Sequence, residues 1–309
     1  MSGADPRRAY VLVTVAYNEA ASLDALIAAV TAQTLRPVRW VLVSDGSTDG
    51  TDALMQAAAQ RWDFIRYVRL EKNPADAVRL DRVSRAQARA MAVARELVRD
   101  VDYAFFGNLD ADVTVGPGYF EAVIERCLQN PRLGIAGGGA YNVLPNGRVD
   151  GSGFVNPDFV GGPVQLFRRE CLEAIGGYAP YGHADCVAVA RAKMLGWEVR
   201  CFPDIPAYHH GMPGNTVGEK VPVCFRMGQF DYIMGGSPAF ELLRVAARMP
   251  RPPYVLAGLA LLAGYLWAWV RRLPIEVPAE VRTFMRREER QKLRARLRTL
   301  LRFGRRPSG

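Results

Sequence analysis

The feature that most constrains this chain is a buried-strand pattern that ends in two carboxylates. Residues 103–113 read YAFFGNLDADV, an aromatic and aliphatic run followed by Asp110 and Asp112. A short apolar run bounded by turn residues is typical of a central strand in an α/β sheet. Ligands of such sheets bind beyond the carboxyl ends of the strands, where this pair would lie. Two carboxylates at this spacing can converge on one hard divalent cation, although an ordinary polar turn has the same pattern.

The first half of the chain alternates between predicted strands and predicted helices. Strands are predicted over 10–15, 40–43 and 64–69, and an Arg-rich helix over 82–99 precedes the strand of residues 103–113. Ser22 is the expected N-cap of the first helix. This alternation predicts an α/β fold with a mostly parallel central sheet and right-handed crossovers.

The second half is less regular. The glycines at 137–139 and 161–162 indicate places where backbones approach closely or φ is positive. Residues 164–167 are predicted to form a strand, 169–175 a short helix, 185–195 a longer helix, and 199–202 a further strand.

Composition excludes several classes of protein. The net charge of +9 in 309 residues arises entirely after residue 270, because residues 1–270 carry 27 Lys/Arg and 27 Asp/Glu. The body of the chain is therefore not a polyanion binder, and no nucleic-acid partner is expected. The five cysteines are scattered without a Cys-x-x-Cys pair, which argues against a zinc site and indicates a reducing compartment. No signal-peptide core follows the polar N-terminus, so a cytoplasmic body is expected.

Other polar residues follow predicted strands or open a predicted helix. Ala16, Tyr17, Asn18 and Glu19 end the first strand, and Asp45 ends the second, which is the expected rim for a nucleotide. Asp185 opens a helix and is either a helix cap or a general base for an acceptor hydroxyl. The adjacent His209 and His210 could supply a metal ligand or a phosphate donor.

Together these residues resemble the family 2 glycosyltransferases, which have a GT-A fold. The matching stretches span roughly residues 9–240 in order: VTVAYNEA (13–20), VSDGSTDGT (43–51), NLDADV (108–113), GGPVQLFRRECLEAIGGY (161–178) and the helix from Asp185. The resemblance implies a nucleoside-diphosphate sugar donor, with Asn18, Glu19 and Asp45 near the nucleoside. It implies Asp110 and Asp112 as the motif for the diphosphate and for Mg²⁺ or Mn²⁺. A histidine joins the metal in several relatives, which fits His209 or His210.

The resemblance also implies inverting, single-displacement transfer with Asp185 as the base. The chain departs from the family where Ala184-Asp185 replaces a pair of acidic residues, which weakens the assignment of Asp185. The Q-x-x-R-W signature of processive synthases does not occur, so transfer of one sugar is expected. Arg226 could contact the departing diphosphate or could be a solvated charge.

The C-terminal region suggests a membrane surface. Residues 254–270 carry no charge, and as a helix they would be about 25 Å long, short of a hydrocarbon core of about 30 Å. A basic tail follows, with an apolar stripe of Leu293, Leu297, Leu300 and Leu301. A helix that re-enters or lies on the membrane is favoured over a single crossing, because a nucleotide-sugar enzyme and a basic tail both belong on the cytoplasmic side. Burial of the apolar helix or a dimer contact are alternatives.

The sequence therefore predicts three segments. Residues 1–240 form a GT-A glycosyltransferase domain, 241–275 a membrane-associated apolar helical segment, and 276–309 a basic amphipathic tail. The expected enzyme works at the cytoplasmic face of the inner membrane, on a glycan or lipid-linked acceptor, in polysaccharide biosynthesis. A nucleotidyltransferase is disfavoured because no basic Gly-rich loop follows the first strand. A catalytically inactive, membrane-associated scaffold with the same fold is the remaining alternative.

Overall fold

The structure is a computed structural model that describes residues 5–76, 79–144, 146–154, 156–210, 217–250 and 252–303. The chain divides into two compact units, which we call the first unit (Met1–Met212) and the second unit (Pro213–Gly309). The first unit contains the sheet, and the second unit is helical.

The described strands of the first unit form one sheet, in the order β3-β2-β1-β4-β8-β6-β9-β5, with β7 paired to β6. The strands are β1 Tyr10–Ala16, β2 Arg39–Asp45, β3 Ile65–Leu70, β4 Phe105–Asn108, β5 Val113–Val115, β6 Leu133–Val143, β7 Val149–Phe154, β8 Leu166–Arg168 and β9 Glu198–His209. The described helices are α1 Ala20–Thr31, α2 Thr51–Arg61, α3 Arg82–Leu97, α4 Tyr119–Gln129, α5 Arg169–Ile175 and α6 Ala184–Met194.

Strands β1 to β4 are parallel to one another, as the alternation of the sequence predicted. β1 pairs in parallel with both β2 and β4, and β2 pairs in parallel with β3. The side chains of β1, β2 and β4 are almost continuously buried because helices cover both faces of a parallel sheet, which explains their uninterrupted apolar runs. The edge strand β3 is only partly buried. Helix α1 begins at Ala20, earlier than predicted, so Ser22 is not its N-cap. The Ser22 hydroxyl instead donates to Glu19 Oε2 at 3.3 Å.

The second half of the sheet is mixed. β8 is antiparallel to β4 and β6, β9 is parallel to β6, and β5 is antiparallel to β9. The close approach predicted at residues 137–139 occurs: a Cβ on Gly138 would lie 1.9 Å from the carbonyl oxygen of Ile205. Glycine at this position therefore lets β6 pass the bulged part of β9, whose far end carries His209.

The second unit consists of α7 Val217–Ile233, α8 Pro238–Arg248, α9 Val255–Val270 and α10 Ala279–Phe303. α7 and α9 touch through glycines: a Cβ on Gly264 would lie 1.9 Å from the carbonyl oxygen of Phe225, and one on Gly228 would lie 1.9 Å from that of Leu261. Ser237 caps α8 by accepting from the Phe240 N–H at 3.2 Å. The predicted leucine stripe of the tail lies mostly outside the described side chains, since only Leu293 is described. Among the described helices, none is both long and apolar enough to cross a membrane.

Candidate active site

The predicted site residues gather at the carboxyl ends of three adjacent parallel strands. Ala16 ends β1, Asp45 ends β2 and Asn108 ends β4, with β1 between the other two strands. Parallel strands that end at one edge of a sheet send their following segments to the same side, which is where ligands of α/β sheets bind. These segments contain Tyr17, Asn18, Glu19, Asp110 and Asp112.

Asn18 fastens the turn after β1 to the turn after β2. Its φ of 57° lies in the left-handed region, which asparagine tolerates better than most residues do. The Asn18 N–H donates to Ser47 Oγ at 3.2 Å, and Asn18 Oδ1 accepts from the Thr48 N–H at 2.8 Å. The Glu19 N–H donates to Thr51 Oγ1 at 2.9 Å. The two turns therefore form one wall of the site.

Tyr17 lies at this wall and is 46% exposed. Lys72 Nζ lies 3.1 Å from the centroid of the ring, in a cation–π contact. An exposed aromatic ring beside an ammonium group offers a nucleotide both a stacking surface and a positive charge.

Asp45 is buried at the end of β2 and is paired with a residue that the sequence analysis did not single out. Arg89 of α3 donates from Nη2 to Asp45 Oδ1 at 2.9 Å and from Nη1 to Asp76 Oδ2 at 2.5 Å. This guanidinium group bridges two buried carboxylates and thereby fixes the orientation of Asp45. The only sequence signal was the arginine-rich character of α3, which does not identify the arginine that is turned inward.

Asp110, Asp112 and His209 come together beside the end of β4. Each offers a ligand atom, and these atoms lie within 4.8 Å of one another. His209 Nε2 is 3.6 Å from Asp112 Oδ1, because the pairing of β5 with β9 sets Val113 opposite His209. These three side chains could together hold one small divalent ion.

The chemistry of this cluster fits a divalent cation. His209 is buried, and its Nδ1 has no hydrogen-bond partner among the residues that the structure describes. Burial lowers the pKa of His209, an effect that the charge of Asp112 opposes. A neutral imidazole retains a lone pair for a metal, and two carboxylates with one imidazole suit Mg²⁺ or Mn²⁺.

Burial and a neighbouring charge disfavour the ionised form of Asp110. Its pKa is raised to about 7, first by burial and then by the charge of Asp112, with a smaller contribution from Asp185. Hydrogen bonds from Asn108 Nδ2 at 3.1 Å and from Gln87 Nε2 at 3.5 Å act in the opposite direction. Mutually repelling carboxylates favour a cation between them, so the shift itself indicates affinity for positive charge.

Asp185 lies near Asp110 and shares a backbone support with it. Its two oxygens accept from the N–H groups of Gly162 at 3.0 Å and Cys186 at 2.8 Å. Gly162 O accepts in turn from Asn108 Nδ2 at 2.7 Å. A Cβ on Gly162 would lie 3.3 Å from Asp185 Cβ, so glycine permits this close approach. The turn around Gly162 thus connects the end of β4 to the start of α6.

The side chain of His210 lies outside the cluster. His210 is exposed, its Nε2 is 2.7 Å from Thr114 Oγ1, and its backbone N–H donates to Asp112 O at 2.8 Å. The structure therefore brings His209, and not the side chain of His210, to the two aspartates. Arg226 is exposed on α7 of the second unit, and its contact with a diphosphate stays a prediction.

Polar residues outside the predicted site support the carboxylates. Gln87 and Asn108 both contact Asp110, and the Pro163 carbonyl accepts from the Asp110 N–H at 3.1 Å. Gln87 on the inner side of a helix lined mostly by small and apolar residues was a usable signal, because α3 buries Ser84, Ala86, Ala90, Met91 and Ala94.

Comparison with known proteins identifies the domain. Residues 11–150 match the family described as glycosyl transferase family 2. Proteins from two Mycobacterium tuberculosis strains, named N-acetylglucosaminyl-diphospho-decaprenol L-rhamnosyltransferase, are 31% identical to this chain over 126 residues. The matched region covers 41% of this chain and 39% of each relative, so the chain matches about two fifths of their length.

Solved structures show the same fold at low sequence identity. The mannosyltransferase PcManGT from Pyrobaculum calidifontis, solved with GDP-Man and Mn²⁺, has a TM-score of 0.52 and 16% identity, over 96% of this chain and 84% of that one. GalNAc-T7, solved with UDP, GalNAc and Mn²⁺, has a TM-score of 0.52 and 13% identity, over 67% of this chain and 44% of that one. The predicted GT-A fold is confirmed, and the predicted family is confirmed over residues 11–150, which carry a family 2 glycosyltransferase domain.

Proposed function

We propose that this protein is a metal-dependent, inverting glycosyltransferase that moves one sugar from a nucleoside-diphosphate sugar to a hydroxyl of a glycan or polyprenyl-linked acceptor. The observation that carries the proposal is the convergence of Asp110, Asp112 and His209 at the edge of the sheet, with Asp185 close enough to raise the pKa of Asp110. One cluster thus offers a cation site and, beside it, a separate carboxylate for proton transfer.

Asp110, Asp112 and His209 would hold Mg²⁺ or Mn²⁺. The two structural neighbours were both solved with Mn²⁺, which supports a divalent ion at this edge without deciding between the two metals. When bound there, the ion would offset the negative charge that collects on the departing nucleoside diphosphate.

Asp185 is the proposed general base. Two backbone N–H groups hold its carboxylate, so its orientation does not depend on the substrate. It would take the proton of the acceptor hydroxyl while the acceptor oxygen attacks the anomeric carbon and the bond to the diphosphate breaks. A single in-line displacement of this kind inverts the configuration at that carbon.

The donor nucleoside would lie along the wall formed by the turns after β1 and β2. Tyr17 offers an exposed ring, Asn18 and Glu19 line the turn, and Asp45 offers a carboxylate whose orientation Arg89 fixes. An Asp at this position can accept from a base N–H or from a ribose hydroxyl. Arg226 remains the proposed contact of the departing diphosphate.

The named relatives support a proposal for the acceptor and for the site of action. The Mycobacterium tuberculosis proteins are named for a diphospho-decaprenol acceptor, which supports a lipid-linked acceptor, work at a membrane surface and a role in cell-surface polysaccharide synthesis. Because the donor is a nucleotide sugar, we place this work at the cytoplasmic face of the inner membrane.

A donor screen tests the function. Release of nucleoside diphosphate is followed from a panel of nucleotide sugars, with Mn²⁺ or Mg²⁺ and with EDTA, for the native protein and for Asp110→Ala. One donor should give metal-dependent release, and Asp110→Ala should lower it at least about 100-fold. Asp204→Asn is the control, because Asp204 is an exposed residue of β9 paired with Arg126 and should leave release unchanged.

The base assignment needs a separate measurement. With donor and acceptor both present, Asp185→Asn should lower kcat by about 10²- to 10⁴-fold and change the donor KM little. An unchanged kcat would remove Asp185 from this role. No release from any donor, together with no thermal shift when donors are added, would instead favour the inactive scaffold. The single acidic residue in Ala184-Asp185 gives weight to that alternative.

A further inference from the structure

Helix α9 of the second unit has two apolar faces. The inner face is buried within the unit and contains Ala257, Gly258, Leu261, Gly264, Tyr265 and Ala268. It packs on α7, where Phe225 and Trp267 lie with ring centroids 6.2 Å apart and Tyr232 and Tyr265 with centroids 5.8 Å apart. The inner face therefore already has its packing partner.

The other face is open. Leu256, Leu259, Leu266 and Val270, which we call the outer stripe, recur at helical spacing and are 60%, 49%, 45% and 69% exposed. Single exposed leucines are common, but four large apolar residues along one helix face are not. Such a face requires something apolar to cover it.

The C-terminal end of α9 indicates what kind of surface covers the outer stripe. Trp267 and Trp269 are partly exposed there, and the Arg271 guanidinium lies 5.6 Å from the centroid of the Trp267 ring. The exposed Arg271 and Arg272 begin the segment 271–309, which carries the entire net charge of +9. Tryptophan and arginine beside an apolar stripe match the boundary between acyl chains and anionic headgroups.

We propose that the outer stripe docks α9 onto an anionic lipid bilayer, with the helix lying parallel to the membrane surface. The occupant is a lipid surface because α9 is followed directly in the sequence by a strongly basic segment, which is complementary to anionic headgroups. This inference rests on the proposed function. It deepens that function by naming the protein surface that would contact the membrane that contains the acceptor.

The parallel orientation follows from the packing of the inner face. α7 is in backbone contact with α9 at Gly264 and Gly228, and it carries Lys220, Arg226 and Asp231. If α9 crossed the bilayer, α7 would bring these charges into the hydrocarbon, which is unfavourable for each of them. When α9 lies on the surface, only the outer stripe enters the acyl region and α7 stays on the aqueous side.

Vesicle binding of the full chain tests the proposal. Flotation is measured with vesicles of neutral phosphatidylcholine and with vesicles that contain 30% phosphatidylglycerol. The test variant is Leu256→Gln with Leu259→Gln, and the matched control is Val83→Gln with Leu195→Gln, two residues of the first unit that are 61% and 57% exposed. Because all four side chains are exposed, circular dichroism and thermal melting should match the native protein.

Four results are expected. The native protein should partition onto the anionic vesicles and be released by 1 M NaCl, the stripe variant should bind at least tenfold more weakly, and the control should bind like the native protein. Asp110→Ala should also bind like the native protein, since vesicle binding uses neither donor nor cation site. Failure of the donor screen would therefore not affect the interpretation of vesicle binding, and failure of vesicle binding would not affect the interpretation of the donor screen.

Other results would overturn the proposal. Equal binding of the stripe variant and the control would show that the outer stripe does not touch lipid. Binding that resists both 1 M NaCl and alkaline carbonate would indicate insertion across the bilayer. A dimer in lipid-free solution that the stripe variant abolishes would assign the stripe to a second copy of the chain.

Discussion

Cation binding should depend on pH because of the raised pKa of Asp110. Metal ligands bind as the deprotonated form, so a proton on Asp110 competes with the cation. With a pKa of about 7, the apparent dissociation constant should rise by about tenfold between pH 8 and pH 6. A carboxyl at its ordinary pKa of 3.8 would give almost no change over this range. His209, whose pKa is lowered, should stay neutral over most of it.

The substitution Asp112→Asn tests the cause of the shift. It removes one ligand, so affinity should fall at every pH. It also removes the charge that ranks second after burial in raising the pKa of Asp110, so the inflection should move to lower pH. The two effects can be separated because loss of the ligand changes the affinity plateau at high pH, whereas loss of the charge changes the pH of the midpoint.

Free Mn²⁺ can be followed by its electron paramagnetic resonance signal in titrations from pH 5.5 to pH 8, without nucleotide. Asp204→Asn, which changes an exposed carboxylate on the same strand as His209, should keep both plateau and midpoint. An affinity that is flat from pH 8 to pH 6 in the native protein would refute the reasoning, as would an Asp112→Asn variant with an unmoved midpoint.

Three further predictions concern single residues. His209→Ala should weaken Mn²⁺ binding at least tenfold, whereas His210→Ala should change it less than threefold, and equal effects would contradict the assignment. Gly264→Ala should lower the free energy of unfolding by about 2 kcal/mol because its Cβ would meet backbone at 1.9 Å, while Gly116→Ala, with open space around it, should change it by under about 0.5 kcal/mol in chemical denaturation. Glu241 is buried on α8 with its pKa raised from 4.5 to about 8, chiefly by burial, so the folded protein keeps a proton that the unfolded chain loses. Stability should therefore fall as pH rises from 5 to 9, and Glu241→Gln should reduce this fall.

The parts of the fold that local patterns determine could be predicted from the sequence. The apolar runs that form β1 and β2 end at polar residues, which marked the ends of these strands. Their parallel direction followed from the alternation of strands with predicted helices. The short helix α5, Arg169–Ile175, was predicted with the bounds it has, because Gly176 in the left-handed conformation ends it.

The parts that long-range pairing determines could not be predicted in this way. β6 contains three consecutive glycines, which weaken a local strand signal, and it is a strand because β8 and β9 pair with it. The roles of His209 and His210 could not be distinguished from the sequence for the same reason. The register of β5 against β9 decides which of the two rings faces Asp112. The pairing of Arg89 with Asp45 likewise depends on how α3 rotates against the sheet.

The dependence of the cation site on the contact between β5 and β9 has a consequence for synthesis of the chain. Both aspartates leave the ribosome long before His209 does, and the stretch that identifies the family, residues 11–150, contains neither His209 nor Asp185. A nascent chain stalled near residue 180 would thus present the aspartates without their imidazole partner or the strand that positions it. We expect tight Mn²⁺ capture to appear only after β9 has joined the sheet, so the ion would act as a reporter of completed folding of the first unit.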